Sequence, residues 1–256
     1  ALPINLTFSV TNKCQARCQT CHIWKIYAKN PAAEKDELTL REIEKIFKTM
    51  GPVFFFNVSG GCPFLREDLP EIVDMACLYL KPKVIHIPTN GVEPDRIVRM
   101  LKIMLTNLAN SSKEICLQIK PSMDGIGPWH DQIRGTDGNF DNLITLMEKL
   151  KGLKKSYSNL HIGLGTVVSN LNIQGLTQIV ELIDRLEPDS YIAEIAEIRA
   201  EMLNQDSKVT PKPDQYSAAV ECLCRQIKKN ALKLHGLAKI TAAFRLVYYP
   251  LSLRII

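Results

Sequence analysis

Cys14, Cys18 and Cys21 stand in a C-x3-C-x2-C pattern within Thr11-Asn-Lys-Cys-Gln-Ala-Arg-Cys-Gln-Thr-Cys-His22. That spacing can bring three thiolates to one metal centre. Thiolate is the usual protein ligand of iron–sulfur clusters, and a closed cubane cluster takes one cysteine per iron. A [4Fe–4S] cluster on these three cysteines leaves one iron open to a small chelating molecule. An open position is what separates catalytic metal sites from closed structural ones. The alternative is zinc with His22 completing a Cys3His set, but His22 directly follows Cys21, and adjacent side chains reach one tetrahedral ion with difficulty. Packing explains the cysteines poorly, because Asn12, Lys13, Gln15, Arg17 and Gln19 around them read as a polar loop.

Further stretches follow in order: Ser59-Gly-Gly-Cys-Pro-Phe-Leu-Arg-Glu-Asp-Leu69, Pro88-Thr-Asn-Gly91, Ser122-Met-Asp-Gly125 and His130-Asp-Gln-Ile-Arg-Gly135. With the cysteines, they make the chain resemble the radical S-adenosylmethionine (SAM) superfamily over most of its length. The resemblance implies a cysteine loop after the first strand of a partial (β/α)6 TIM-like barrel, with the amino and carboxylate groups of SAM on the open iron. It also implies that the backbone of Gly60-Gly61 meets the SAM amino group, in keeping with the close approach that glycine permits. Members usually carry a glutamate directly after those glycines, and here Cys62 stands there. SAM is then held differently or more weakly, or Cys62 is a further thiol competing for the open iron.

Ser122, Asp124 and Arg134 are the next candidates. Arg134 offers a planar donor fork suited to a carboxylate, and by resemblance it or Ser122 meets the SAM carboxylate or ribose. The bland reading of Arg134 is a surface pair with Asp131 or Asp137. Asn90 is a pocket candidate in an otherwise ordinary turn signature. Thr166 to Ser169 are candidates to face the adenine, and His22, Trp24, Tyr27, Trp129 and His130 to line the pocket.

Short β-rich runs alternate with longer helical patterns, which predicts parallel strands joined by crossover helices and an α/β fold. Strands are expected over Ile4–Val10, Val53–Val58, Val84–Pro88, Ile115–Lys120, His161–Val168 and Ser190–Ile195. Helices are expected over Leu40–Met50, Leu69–Leu80, Asp95–Leu108, Phe140–Leu153 and Ile173–Leu186, the first opened by a Thr39/Glu42 capping box. The motifs then follow successive strands, and in parallel α/β barrels the carboxyl ends of the strands carry the active site.

The chain has 256 residues, 46% hydrophobic, enough for one sizeable core. Residues 1–200 are expected to form the core barrel, and 201–256 a helical segment and tail that could begin a truncated auxiliary domain. Net charge is +5 and the lysine pairs 154–155 and 228–229 are isolated, which reads as solvated surface and not a nucleic-acid footprint. No apolar run is long enough for a membrane span, and the start lacks a signal pattern. Eight cysteines suggest metal chemistry in a reducing cytoplasm. Cys77 and Cys116 read as core thiols, whereas Cys222 and Cys224, two apart on a helix after Pro213, face different directions.

The His130-Asp-x-Ile-Arg-Gly135 form resembles the subgroup of peptide-modifying maturases with a carboxyl-terminal SPASM or twitch extension. The chain departs from that subgroup in lacking a cysteine-rich extension, as though an auxiliary domain had been removed or had never been there. By this resemblance the expected function is reductive cleavage of SAM to a 5′-deoxyadenosyl radical that takes hydrogen from a peptide or protein side chain. An electron donor such as flavodoxin or ferredoxin would serve it. A small-molecule substrate (sugar, lipid or cofactor precursor) is the alternative, and a non-catalytic iron–sulfur protein whose SAM site Cys62 disables is the reading from a different class.

Overall fold

A computed structural model describes residues 3–110, 114–231 and 236–254. Strands β1 (Asn5–Thr11), β2 (Phe55–Gly60), β3 (Val84–Thr89), β4 (Cys116–Pro121), β5 (Leu160–Val168) and β6 (Ser190–Ile195) form one parallel sheet in chain order. β1 and β6 stand at its two edges. Adjacent strands in sequence order are the arrangement a partial barrel of βα units produces, each return passing through a helix on the outside.

The helices are α1 (Lys25–Lys29), α2 (Leu40–Met50), α3 (Leu69–Tyr79), α4 (Pro94–Asn110), α5 (Pro128–Arg134), α6 (Asn139–Lys154), α7 (Leu176–Leu186), α8 (Pro213–Ala231) and α9 (Gly236–Ser252). Thr39 caps α2 as expected: its hydroxyl accepts from the Glu42 N–H, and Glu42 accepts from the Thr39 N–H at 2.8 Å. The stretch read as one helix from Ile173 begins as a 3-10 turn over Ile173–Gly175 before α7. The remaining expected elements differ from those observed by a residue or two at their ends, where caps and not hydrophobic period decide the boundary.

Alternation along each strand sorts the side chains. Phe56, Val58, Ile85, Ile87, Leu117 and Ile119 face outward into the main core, against Ile43 and Phe47 of α2, Ile72 of α3 and Leu101 of α4. Each contributes roughly 1.5–3 kcal/mol by leaving water. The opposite face of the sheet is polar: Asn57 and His86 meet at 2.6 Å, His161 and Ser190 at 2.9 Å, and Gln118 donates to Ser190 at 3.3 Å. Cys116 lies on this inner face and is only half-buried, so the core-thiol reading holds for Cys77 but not for Cys116.

A second apolar cluster joins Val168, Leu176 and Val180 to Tyr216, Val220 and Leu223 of α8 and Tyr249 of α9. The carboxyl-terminal helices are therefore packed on the β5–β6 edge. Tyr249 Oη accepts from the Ala193 N–H at 3.0 Å, and Arg245 donates to the Tyr191 carbonyl at 2.7 Å. Cys222 lies against Thr177 at 3.6 Å while Cys224 packs on this cluster, so the two thiols diverge as expected.

Candidate cofactor site

The cysteine loop follows β1 and is tied to three neighbouring segments by backbone hydrogen bonds. From β2 and the residues beyond it, the Gly61 and Cys62 N–H groups donate to the Thr11 and Lys13 carbonyls at 2.8 and 2.7 Å. Toward α5, the Arg17 and Gln19 N–H groups donate to the Arg134 and Ile133 carbonyls, both at 2.9 Å. Beyond β6, the His22 N–H donates to the Met202 carbonyl at 2.8 Å, and Asn204 Nδ2 donates to the Thr20 carbonyl at 2.9 Å.

These contacts explain the glycines. A Cβ on Gly60 would sit 2.1 Å from the Thr11 carbonyl oxygen, one on Gly61 2.1 Å from that of Lys13, and one on Gly135 2.4 Å from that of Arg17. Gly60 and Gly135 also hold φ of +119° and +60°, where an L side chain is strained. The close approach made by Gly60-Gly61 is therefore to the cysteine loop itself.

Cys14, Cys18 and Cys21 line one cavity of about 320 Å³, together with Gly60, Gly61, Asn90, Ser122 and Arg134. Motifs after β1, β2, β3 and β4 thus converge at the carboxyl ends of the strands. A larger groove of about 460 Å³ between α7, α8 and α9 contains none of these residues. The cysteines and Arg134 mark the smaller cavity as the chemical one, since its polar groups converge.

Arg134 is 8% exposed, and its Nη1 donates to Asp124 Oδ2 at 2.9 Å in an ion pair with a fully buried carboxylate. The surface pairings with Asp131 or Asp137 do not form: Asp131 instead accepts from the Gly138 and Phe140 N–H groups. Burial opposes the charge on Arg134, yet Cys18 and Asp124 outweigh it and its pKa is raised. Asp124 does not line the cavity; Oδ1 accepts from the Val167 N–H at 2.8 Å, so the carboxylate locks Arg134 to β5. Arg134 Nε is buried without a protein partner.

Burial pushes the Cys14 thiol up to about 11, with Cys62 adding to the rise and Arg134 opposing it. Burial likewise pushes Cys18 up to about 12, again against Arg134. Cys21 is raised by burial too. Cys62 is 1% exposed and does not line the cavity. Its Sγ lies 3.8 Å from Thr89 Oγ1 and donates to Asn90 Oδ1 at 3.6 Å.

Of the aromatic candidates, Trp24 lines the cavity, with the Arg17 guanidinium 5.7 Å from its ring centroid. The others are engaged elsewhere. His22 Nδ1 lies 3.0 Å from the Leu203 carbonyl oxygen, Tyr27 donates to Glu37 at 2.7 Å and Trp129 donates to the Leu171 carbonyl at 3.1 Å. His130 is fully buried between the Asp124 N–H and Asn139. Within 166–169 only Val167 reaches the cavity; Thr166 donates to the Met123 carbonyl and the Ser169 N–H to Asn172.

Sequence reasoning passed over Glu194, Glu197, Arg199 and Tyr248, which line the cavity from β6 and the segments after it. It also passed over the buried Asn139, Asn172 and Asn204 that pin the loops. For Glu194 the alternation of β6 was a usable signal, since it shares a face with Ser190. The asparagines carry no local signature.

The donor set fits a cluster. Among the described residues no group of three or more His, Cys, Asp or Glu is gathered as a single ion requires. Thiolate is the usual ligand of such clusters, and the three thiols line one cavity. Arg134 lines the same cavity and its buried Nε has no partner, so the guanidinium keeps donor capacity suited to a carboxylate or to the cluster's own negative charge.

The radical SAM superfamily matches residues 8–183. The chain belongs to this superfamily, whose members are enzymes that use a [4Fe–4S] cluster and SAM. It is 42% identical over 99 residues to a probable GTP 3′,8-cyclase of Archaeoglobus fulgidus, a span of 38% of this chain and 31% of that relative. It is 27% identical over 186 residues to the mycofactocin maturase MftC of Mycobacterium ulcerans, 72% of this chain and 45% of the relative. In fold it is similar to Streptococcus suis SuiB bound to its precursor peptide SuiA, with a TM-score of 0.63 at 17% identity over 90% of this chain and 47% of that one. The chain thus spans less than half the length of these relatives. Among the described residues, no helix is long and apolar enough to cross a membrane.

Proposed function

We propose that Cys14, Cys18 and Cys21 ligate a [4Fe–4S] cluster and that SAM occupies the remainder of their cavity, so that the chain acts as the core of a radical SAM enzyme on a peptide side chain. The observation that carries this reading is the convergence of the three cysteines with a buried, half-satisfied Arg134 in one cavity. When bound, the cluster and SAM supply a 5′-deoxyadenosyl radical that takes a hydrogen atom from the substrate.

The chain's own residues bind, orient and exclude. Arg134, held by Asp124, places on the cavity wall a guanidinium suited to a carboxylate. Gly60 and Gly61 keep the cysteine loop against β2, leaving their backbone on the cavity wall. Ser122 adds a hydroxyl, and Trp24 and Ile195 restrict water. Excluding competing chemistry is the protein's part in cofactor catalysis. A one-electron donor such as flavodoxin or ferredoxin serves the cluster.

A peptide substrate is supported by relatives named as maturases and by the SuiB complex with SuiA. The likeness to GTP 3′,8-cyclases favours a small-molecule substrate as the second reading. The first test is anaerobic reconstitution with iron and sulfide, then electron paramagnetic resonance of the reduced protein with and without SAM. A [4Fe–4S] signal that shifts on SAM addition is expected. A cluster indifferent to SAM would instead support the non-catalytic reading. Deuterium transfer into 5′-deoxyadenosine from labelled peptides, against labelled nucleotides, separates the two substrate classes.

A further inference from the structure

Asn90 sits behind the cysteine loop and is 4% exposed. Its Nδ2 donates to Cys14 Sγ at 3.7 Å and to Gln15 Oε1 at 3.1 Å. Its Oδ1 accepts from the Val92 N–H at 3.1 Å and from the Cys62 thiol at 3.6 Å. The ends of an amide are chemically distinct, one accepting and one donating. With two donors aimed at the oxygen, the NH2 group is directed at the Cys14 sulfur. The backbone of Asn90 is fixed as well: its carbonyl accepts from Asn139 Nδ2 at 3.0 Å, and Asn139 Oδ1 lies 3.2 Å from His130 Nε2.

We propose that Asn90, oriented by Cys62, is a positioning residue that donates a hydrogen bond to the Cys14 thiolate and raises the reduction potential of the cluster. The inference rests on the cluster assignment above. Reduction adds one negative charge to a cluster, and a donor to a ligating sulfur stabilises the more negative state; hydrogen bonds to sulfur are among the protein's levers on potential. In a buried site such a bond is electrostatically stronger than in water. Cys62 then acts at one remove, as a second donor that joins the Val92 N–H in keeping the amide oxygen turned from Cys14.

The test is the midpoint potential of the anaerobically reconstituted chain, read by electron paramagnetic resonance during redox titration. Asn90→Asp preserves shape and the acceptor for Cys62 and Val92, removes the donor and adds a negative charge, so its fall in potential is at least that of Asn90→Leu. Asn90→Leu removes both. Each is expected to lower the potential by the equivalent of about a tenfold change in the reduction equilibrium, about 59 mV for one electron. Cys62→Ser keeps a donor and should hold the wild-type potential, while Cys62→Ala should give a smaller fall in the same direction. If Asn90→Asp loses its iron, Asn90→Leu and Cys62→Ala still carry the measurement. Asn90 variants with an intact cluster signal at the wild-type potential would overturn the proposal. A wild-type chain that forms no cluster would overturn the assignment beneath it, a different and recognisable result.

Discussion

Asp124 is a carboxylate held out of water by two contacts, the Arg134 guanidinium and the Val167 N–H. Breaking a buried pair by removing one charge leaves the other uncompensated, at a cost of about 3–5 kcal/mol. Asp124→Asn should therefore lower stability by about that amount in chemical denaturation. If the loss were only a few tenths, the pair would not be buried as described. A second residue-scale expectation concerns acid. Burial, with Lys120 adding, holds the His86 imidazole down at about 4, against an ordinary value near 6.5. The unfolded chain binds that proton first, so the contribution of neutral His86 is complete above pH 6.5 and is eroded as pH falls toward 4. His86→Gln should flatten that part of the curve of melting temperature against pH. An equally steep curve in the variant would place the acid sensitivity elsewhere, with His130, also held at about 4 by burial and Arg134, as the next residue to replace.

At the scale of elements, the short helix α5 and the cysteine loop form one unit. Gly135 ends α5 in the left-handed conformation at φ 60° and ψ 39°, and in doing so brings the Arg134 carbonyl to the Arg17 N–H. Gly135→Ala adds left-handed strain of roughly 1–2 kcal/mol and pushes a methyl group to 2.4 Å from the Arg17 carbonyl oxygen. The loop must move, and the expected outcome is a folded protein that retains less iron than wild type after reconstitution. Unchanged iron content would show that the loop can hold its cysteines without this contact. Gly138, left-handed at φ 70° and ψ 8° with open space around its missing Cβ, serves as the comparison, because only the strain applies there.

Across the whole molecule, the sheet is covered by two apolar clusters, the smaller formed where α8 and α9 close over β6. Tyr249, with Arg245, ties this cover to β6 by hydrogen bonds. Tyr249→Phe removes the acceptor for the Ala193 N–H and leaves a buried donor unmade, at a cost of about 1–3 kcal/mol. Hydrogen exchange should show faster exchange along β6 with β1 to β4 unaffected. Uniform acceleration through the sheet would mean that the two clusters unfold as one unit.

Local chemistry was enough for much of this protein. Alternation and capping residues placed the strands and the helices between them, because a pleated strand and a capped helix are governed by neighbours in sequence. The C-x3-C-x2-C loop points to a metal-thiolate site, and the glycine pair to a close backbone approach. What the sequence left open depended on residues far apart meeting. Taken alone, Arg134 reads equally well as a surface partner of Asp131 or Asp137, and only folding brings it to Asp124, whose other oxygen is held by the Val167 N–H of β5. Glu197, Arg199 and Tyr248 reach the cavity through the return of the chain after β6, and Asn204 pins the cysteine loop through a bond to Thr20, 184 positions away. By motif position Cys62 reads either as a change in how SAM is held or as a further thiol at the open iron, and packing buries it against Thr89 and Asn90, off the cavity. Sequence by itself determined which chemistry the chain can host and which elements carry it. The tertiary structure decided which side chains face the cavity and which hold them there, because burial and hydrogen-bond satisfaction depend on every element packed around a residue.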